Sequence, residues 1–247
     1  MHLVKSSPEI EKMRLAGKIH RQVMLELMAA VRPGISTLSL DELAERRIRE
    51  LGGVPSFKGF HGFPASICTS INEEIVHGIP RADRHLNNGD LLKLDMGVIF
   101  DGWHADAGRT VGVGEINPVA YELMLAAESS FAAGIEGIRA GQPLNRIGKQ
   151  VQAHAEALGY SVVRDLIGHG VGSQLHEDPE VPNYYRPDLT LSLKAGMTLA
   201  IEPMINLGTA HIRQLPDNWT IITTDRKLSS YYENTVLITQ SGCEILT

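Results

Sequence analysis

The sequence predicts a protein of the α+β class, with two similar halves whose strands share a sheet and whose helices cover one face of it. Helix pairs followed by β-rich segments, without regular alternation of strand and helix, favour this class. The helix-pair pattern recurs after 107 residues, since Gly34 and Leu51-Gly52 return as Gly141 and Leu158-Gly159. No tract rich in proline, glycine or serine separates the halves. We therefore expect one domain over residues 1–247, with halves of about 1–113 and 114–247.

The composition of the 247-residue chain excludes several classes of protein. With 43% hydrophobic and 21% charged residues, it is typical of a globular chain rather than a disordered or fibrous one. A net charge of −6 offers no basic field for the phosphate backbone of a nucleic acid. No long apolar run predicts a membrane span, and Cys68 and Cys243 lie too far apart for a CxxC pair. We expect a cytoplasmic protein with no membrane partner and no specific nucleic-acid partner.

The first half begins with two predicted helices. Ser7-Pro8 predicts the start of the first helix, as a cap followed by a proline in the first turn, and Arg32-Pro33-Gly34 closes it. Ser39 and Glu42 have the spacing of a capping box for the second helix, which ends at Gly52-Gly53. The repeat predicts an equivalent pair of helices in the second half.

A predicted hairpin follows, and it carries two acids. Its turn lies at Asp101-Gly102, a strong signal for a two-residue turn. In that register Asp95 pairs with residue 108, so Asp106 is its diagonal neighbour on the same face, at roughly 7 to 8 Å. Either aspartate alone would suit a strand end or a turn. Two acids on one apolar strand pair are costly unless a cation or another partner satisfies them, and the pairing of the two acids favours a divalent metal site.

The second half supplies three more candidate ligands. His169 lies between two glycines, which let the backbone approach a neighbour closely while the ring projects into a cleft. Glu202 ends one predicted strand and Glu233 begins another. Each of the three alone would more often be structural. Together with the two aspartates they form an oxygen-rich donor set that suits Mn, Fe, Co or Zn in a two-metal site.

Around these residues the chain resembles the type I methionine aminopeptidases of the pita-bread fold, from about residue 4 to the end. The resemblance rests on seven segments: residues 60–68, 70–73, 77–80, the pair Asp95 and Asp106, 168–172, 176–179 and 201–204. It implies a curved antiparallel sheet shared by two pseudo-symmetric halves, with the helices on its outer face. The short interval from His169 to Glu202 leaves no room for the helical subdomain of the type II enzymes.

The resemblance also implies an activity, which is removal of the N-terminal methionine from peptides and nascent proteins. It makes Asp95, Asp106, His169, Glu202 and Glu233 the ligands of two divalent metal ions (Co, Mn, Fe, Zn or Ni), with Asp106 and Glu233 bridging. Glu202 would also shuttle a proton to the leaving amine. His176 would bind the carbonyl oxygen, and His77 would orient the scissile amide. The substrate would be a peptide or nascent-chain N-terminus, the ribosome a candidate partner, and the enzyme a monomer.

A methionine side chain requires an apolar pocket. The resemblance assigns that pocket to Phe57, Phe60, His61, Phe63, Cys68, Leu175, Trp219 and Tyr231. Phe60 and Phe63 replace tyrosines that are frequent in the family. Tyr231 replaces a glutamine, and because strand residues alternate in direction it faces the side of Glu233. Its bulk predicts that only small second residues are accepted after methionine.

Two alternatives remain open at the level of the sequence. One is a proline-specific aminopeptidase of the same fold, although such enzymes normally carry a large N-terminal domain, which residues 1–247 do not predict. The other is a low-activity peptide- or ribosome-binding paralogue, which would explain Asn234 and Ala107, two departures from the family pattern next to ligands. The presence of every predicted ligand favours an enzyme.

Overall fold

The helices occur as two pairs, as the repeat in the sequence predicts. The computed structural model describes residues 3–247, so the first two residues of the predicted domain lie outside the described residues. The pairs are α1 (Ser7–Ala30) with α2 (Thr37–Glu50), and α3 (Pro118–Ile135) with α4 (Asn145–Ala157). A short 3-10 helix spans Phe60–Gly62. Over residues 3–247, no helix combines the length and the apolar character needed to cross a membrane.

The starts of α1 and α2 differ from the predicted ones. Ser6, not Ser7, caps α1, and its backbone N–H donates to the Glu9 carboxylate at 2.6 Å. The predicted capping box at Ser39 and Glu42 is wrong, because α2 begins at Thr37 with Ser36 as its cap. Ser39 instead donates its backbone N–H to the Ser36 hydroxyl at 3.1 Å. A distant contact explains the earlier start, since the Thr37 hydroxyl accepts a hydrogen bond from the backbone N–H of Arg81 at 2.8 Å.

The strands pair antiparallel throughout residues 3–247, which confirms the α+β class. In chain order they are β1 (Val54–Pro55), β2 (Ile67–Ile71), β3 (Glu74–Val76), β4 (Leu91–Phe100), β5 (Trp103–Gly112), β6 (Ser161–Val162), β7 (Gly168–Gly170), β8 (Glu177–Val181), β9 (Thr198–Ile201), β10 (Met204–Asn206), β11 (Ile212–Gln214), β12 (Ile221–Thr223), β13 (Ser229–Tyr231), β14 (Asn234–Ile238) and β15 (Cys243–Ile245). They form four hydrogen-bonded sheets. The sheet of the first half has the order β1-β4-β2 with β5 on β4, and the largest sheet of the second half has the order β15-β14-β9-β7-β8.

The hairpin of β4 and β5 has the predicted register. Asp95 pairs with Gly108, and Asp106 pairs with Gly97, so the two acids are diagonal neighbours. Asp101 and Gly102 form the turn with φ values of 46° and 79°. Positive φ at both central residues is the conformation that suits the twist of a two-residue hairpin.

The helices cover one face of the sheets, which leaves the other face for a site. Alternate residues of β4, such as Leu94 and Met96, join the core beneath α1 and α2. In the second half Leu199 and Ile201 of β9 join the corresponding core beneath α3 and α4. Because successive side chains of a strand point in opposite directions, Asp95 faces away from the helices.

The two halves meet along β5 and β14. The backbone N–H of Asp106 donates to the Thr235 hydroxyl at 2.9 Å, and that hydroxyl donates to the Asp106 carbonyl at 2.8 Å. The backbone N–H of Glu233 donates to the Gly108 carbonyl at 3.0 Å. These bonds bring one acid from each half to the same junction.

Candidate active site

A cavity of about 290 Å³ opens on the face of the sheets that the helices leave uncovered. Every site residue that the sequence predicts lines this cavity. At one end, here called the acidic end, are Asp95, Asp106, His169, Glu202 and Glu233, with Tyr231 beside them; the remaining predicted residues are His77, His176, Phe57, Phe60, His61, Phe63, Cys68, Leu175 and Trp219. The structure therefore brings together residues spread over most of the chain. Their individual roles remain predictions.

Five different elements position the acidic end. Asp95 and Asp106 come from the β4–β5 hairpin, His169 is the central residue of β7, and Glu202 and Glu233 lie just outside β9 and β14. The glycines beside His169 are required by close packing. A Cβ atom at position 168 would lie 2.3 Å from the Ala200 carbonyl oxygen, and one at position 170 would lie 2.1 Å from the Asp178 carbonyl oxygen. Only glycine allows β7 to lie this close to its neighbours.

The geometry of the acidic end fits a metal ion. Ligand atoms of Asp106, His169 and Glu233 all lie within 4.8 Å of one another. The Nε2 atom of His169 is 3.6 Å from a Glu202 oxygen and 4.0 Å from an Asp106 oxygen. The Nδ1 atom of His169 lies 2.8 Å from the Gly170 carbonyl, to which it donates when it carries the proton. Since burial lowers the pKa of His169 to about 3, its Nε2 lone pair is free to bind a cation.

The carboxylates are too close and too buried to be charged without compensation. Burial raises the pKa of Asp95, Asp106 and Glu202 well above the usual range, and the neighbouring Glu233 adds to the rise. The pKa of Glu233 rises to about 7, because burial outweighs the hydrogen bond from Tyr231 and the charge of Arg109. One buried oxygen of Asp95 and one of Asp106 have no hydrogen-bond partner. Buried polar atoms normally have partners, so these oxygens fit the predicted metal ions.

Tyr231 lies against the acidic end, as strand alternation predicts. Its hydroxyl donates to a carboxylate oxygen of Glu233. Its ring lies over Gly108, where a Cβ atom would be 1.9 Å from the ring. Arg109 holds the adjoining backbone, donating to the Glu233 carbonyl and, at 2.6 Å, to the Asn234 side chain. The sequence indicated the direction of Tyr231 but not its hydrogen bond to Glu233.

The opposite end of the cavity is aromatic and largely apolar. Phe57, Phe63 and Leu175 are buried, and Phe60 packs against them. The rings of Phe63 and Trp219 meet edge to face at 5.0 Å between centroids. His61 is exposed and has a left-handed backbone with φ of 48°. This end is apolar enough to receive the side chain of a methionine.

The two predicted catalytic imidazoles lie between these ends. The His176 ring meets the His169 ring edge to face at 4.2 Å between centroids, and the His77 ring lies 6.4 Å from the Trp219 ring. Burial and the neighbouring His176 lower the pKa of His77 to about 4, and burial and His61 lower the pKa of His176. Both rings are therefore neutral near pH 7 and can donate one hydrogen bond each. His77 also has a left-handed backbone, with φ of 61°, a strained conformation of the kind that clusters at functional sites.

Four further residues line the cavity, although the sequence did not identify them as pocket members. They are Val76, Leu166, Ile167 and Met204. Val76 precedes His77 and Ile167 precedes Gly168, so adjacency to a motif was the available signal. Leu166 carries no signal of its own, because its place on the cavity wall depends on how β7 packs.

Comparison with known proteins agrees with this geometry. The model of metallopeptidase family M24 matches residues 11–240. A methionine aminopeptidase of Clostridium acetobutylicum is 48% identical over 247 residues, covering 100% of this chain and 99% of the relative. Methionine aminopeptidase 1 of Bacillus subtilis is 44% identical over 247 residues, with the same coverage of 100% and 99%. The crystal structure of methionine aminopeptidase from Rickettsia prowazekii has a TM-score of 0.97 and 39% identity, covering 100% of both chains.

The chain belongs to metallopeptidase family M24. The full-length similarity to methionine aminopeptidases confirms the resemblance found in the sequence motifs, and the TM-score of 0.97 confirms the pita-bread fold. The interval between His169 and Glu202 contains strands and no helix, as the type I resemblance predicts.

Proposed function

We propose that this protein removes the N-terminal methionine from peptides and nascent proteins by hydrolysis at the acidic end of the cavity. A single observation carries the proposal: buried carboxylates with unpartnered oxygens lie in one cavity with an apolar, aromatic pocket. The first feature supports metal-assisted hydrolysis. The second supports selection of an unbranched apolar side chain. The names of the full-length relatives support the same substrate.

The metal ions would be held by the five residues of the acidic end, Asp95, Asp106, His169, Glu202 and Glu233. The oxygen-rich donor set with one imidazole suits Co, Mn, Fe, Zn or Ni. When bound, such ions lower the pKa of a water molecule and polarise a carbonyl group.

The chain's own residues transfer the proton, stabilise the developing charge and orient the substrate. Glu202, whose pKa is raised by burial and by Glu233, accepts the proton of the attacking water and passes it to the leaving amine. His176 donates a hydrogen bond to the scissile carbonyl oxygen as negative charge develops there. His77 orients the scissile amide. The apolar end receives the methionine side chain, so the free α-amine reaches the acidic end and only the first residue is released.

We also propose that the chain acts as a single catalytic domain of two halves, about 1–113 and 114–247, that it is a cytoplasmic monomer, and that it meets nascent chains at the ribosome. The tight junction of β5 with β14 supports the single domain, because it places ligands of one site on both halves.

The decisive experiment compares three peptides. Protein purified without chelator is expected to contain divalent metal, to release methionine from Met-Ala-Ser and to leave Ala-Pro intact, while Met-Pro measures whether proline is accepted as the second residue. Preferred cleavage of Ala-Pro would instead support the proline-specific alternative. A protein without metal and without turnover after metal addition would be the binding paralogue.

A further inference from the structure

A buried ion pair lies behind the loop that carries His176. The Nζ atom of Lys5 is 2.6 Å from a carboxylate oxygen of Glu177, and each side chain is only 2% exposed. The two residues are 172 positions apart in sequence. Neither belongs to the cavity described above, although Glu177 directly follows His176.

Glu177 organises the segment before it, residues 171–176, here called the His176 loop. Its second carboxylate oxygen accepts hydrogen bonds from the backbone N–H of Gln174 at 3.0 Å and from the Ser173 hydroxyl at 3.2 Å. One carboxylate therefore binds both Lys5 and the loop's own polar groups. Leu175 and His176 of the same loop line the cavity.

Lys5 approaches the loop from a well-anchored position. Its backbone N–H donates to the Gly196 carbonyl at 2.8 Å, and the next residue is the cap of α1. Its side chain packs on the loop, since a Cβ atom at Gly172 would lie 2.6 Å from Cε of Lys5. The Gly172 carbonyl also accepts a hydrogen bond from the backbone N–H of His104 at 2.8 Å. The loop is thus fixed to β5 on one side and to Lys5 on the other.

We infer that Lys5 is a positioning residue for His176. It neutralises the buried Glu177 carboxylate, which then holds the His176 loop so that the imidazole faces the scissile carbonyl. Without Lys5, the Glu177 charge would be buried and uncompensated one residue from His176, and the loop would rearrange to expose it. This inference rests on the role proposed above for His176, and catalysis is sensitive to small displacements of such a group.

The first test replaces the lysine. In Lys5→Met, kcat for Met-Ala-Ser is expected to fall about 10- to 100-fold, with KM and metal content nearly unchanged. Lys5→Arg keeps the charge and should recover most of kcat. A matched control is Arg47→Met, which breaks the ion pair of Arg47 with Glu26 between α2 and α1, also at 2.6 Å, and should leave kcat unchanged. If folded Lys5→Met kept the wild-type kcat, the inference would be wrong.

The second test separates positioning from a general loss of structure. In a His176→Ala background, Lys5→Met should cause almost no further loss of kcat, because residues that act through one another are not additive. An equal loss in both backgrounds would overturn the inference. If Lys5→Met does not fold, Lys5→Met combined with Glu177→Gln leaves no unpaired buried charge, so it should fold and keep most of kcat, and a loss of about 10-fold or more in it would overturn the inference.

The His176→Ala variant also separates the proposed role of His176 from the inference about Lys5. If it keeps the wild-type kcat, the proposed role of His176 is wrong and the inference fails with it. If it loses kcat while Lys5→Met does not, the role of His176 stands and only the inference about Lys5 fails.

Discussion

Asp106 combines a structural role with the chemical role proposed for it, and the two involve different atoms. Its backbone N–H and carbonyl join β5 to β14 through Thr235, whereas one oxygen of its buried side chain has no partner. A change confined to the side chain should therefore affect the site and leave the junction of the two halves intact.

We expect Asp106→Ala to abolish methionine release and to lower metal affinity by more than about 100-fold, the upper end for loss of an outer hydrogen bond to a ligand. The fold should persist, because the backbone bonds remain and a repelling buried carboxylate is removed. Metal titration and circular dichroism would measure both effects. Asp83→Ala, which removes an exposed acid paired with Arg81, is the control. Near-normal turnover of Asp106→Ala with saturating metal would refute the two-metal site.

Tyr231 combines bulk in the cavity with a hydrogen bond to Glu233, and two substitutions separate these properties. Tyr231→Gln should raise kcat/KM for Met-Val peptides more than for Met-Ala peptides, because relieved crowding helps the larger second residue more. Tyr231→Phe keeps the ring and should leave that ratio unchanged. An equal change for both peptides in Tyr231→Gln would show that Tyr231 does not determine the second-residue preference.

At the scale of elements, the site depends on how closely strands approach one another. β5 can pass beneath the Tyr231 ring only because position 108 is glycine. The pair of Gly108 and Tyr231 is thus a matched packing arrangement between β5 and β13.

We therefore expect Gly108→Ala to destabilise the protein by about 1 to 3 kcal/mol, the usual cost of overpacking. The double variant Gly108→Ala with Tyr231→Gln should recover most of that loss, because the flexible glutamine can move away from the new methyl group. Urea unfolding of the single and double variants measures the coupling. Additive effects in the double variant would contradict this account of the packing.

At the scale of the whole molecule, buried histidines link stability to pH. His20 of α1 is 1% exposed, and its Nε2 atom lies 3.1 Å from the Ala107 carbonyl of β5. Burial, with a smaller effect from Arg109, lowers the pKa of His20 to about 3. An unfolded histidine has a pKa of about 6.5, so between these values the unfolded chain binds more protons than the folded one. The stabilisation is complete above about pH 6.5 and is lost as the pH falls towards 3.

The free energy of unfolding should accordingly fall on acidification, with His20 contributing up to about 1.4 kcal/mol per pH unit. In His20→Leu, the free energy of unfolding should depend less steeply on pH, by the equivalent of about one bound proton. This difference in slope is expected whatever the stability of the variant at pH 7. Denaturant titrations of both proteins from pH 7 to 4, with chelator present, measure these slopes. The contribution of the acidic end is the same in both proteins and cancels when one slope is subtracted from the other. Parallel curves for the two proteins would disprove the contribution of His20.

The sequence alone predicted the features that depend on short-range periodicity. The turn at Asp101-Gly102 and strict alternation along β4 and β5 determine that Asp95 and Asp106 share a face. The repeated helix pairs are likewise local patterns. The motif resemblance then predicted the remaining ligands, which the structure places in the same cavity.

Other features depended on contacts between residues distant in sequence, and only the tertiary structure shows them. The cap of α2 is Ser36 rather than Ser39. The next residue, Thr37, accepts a hydrogen bond from the backbone N–H of Arg81 through its hydroxyl. Tyr231 reaches Glu233 because Gly108 of another strand leaves space for its ring. Lys5 meets Glu177 across 172 positions of chain. The sequence around one side chain does not reveal partners that are distant along the chain. The energies of these contacts arise from desolvation and packing, which exist only once the chain has folded.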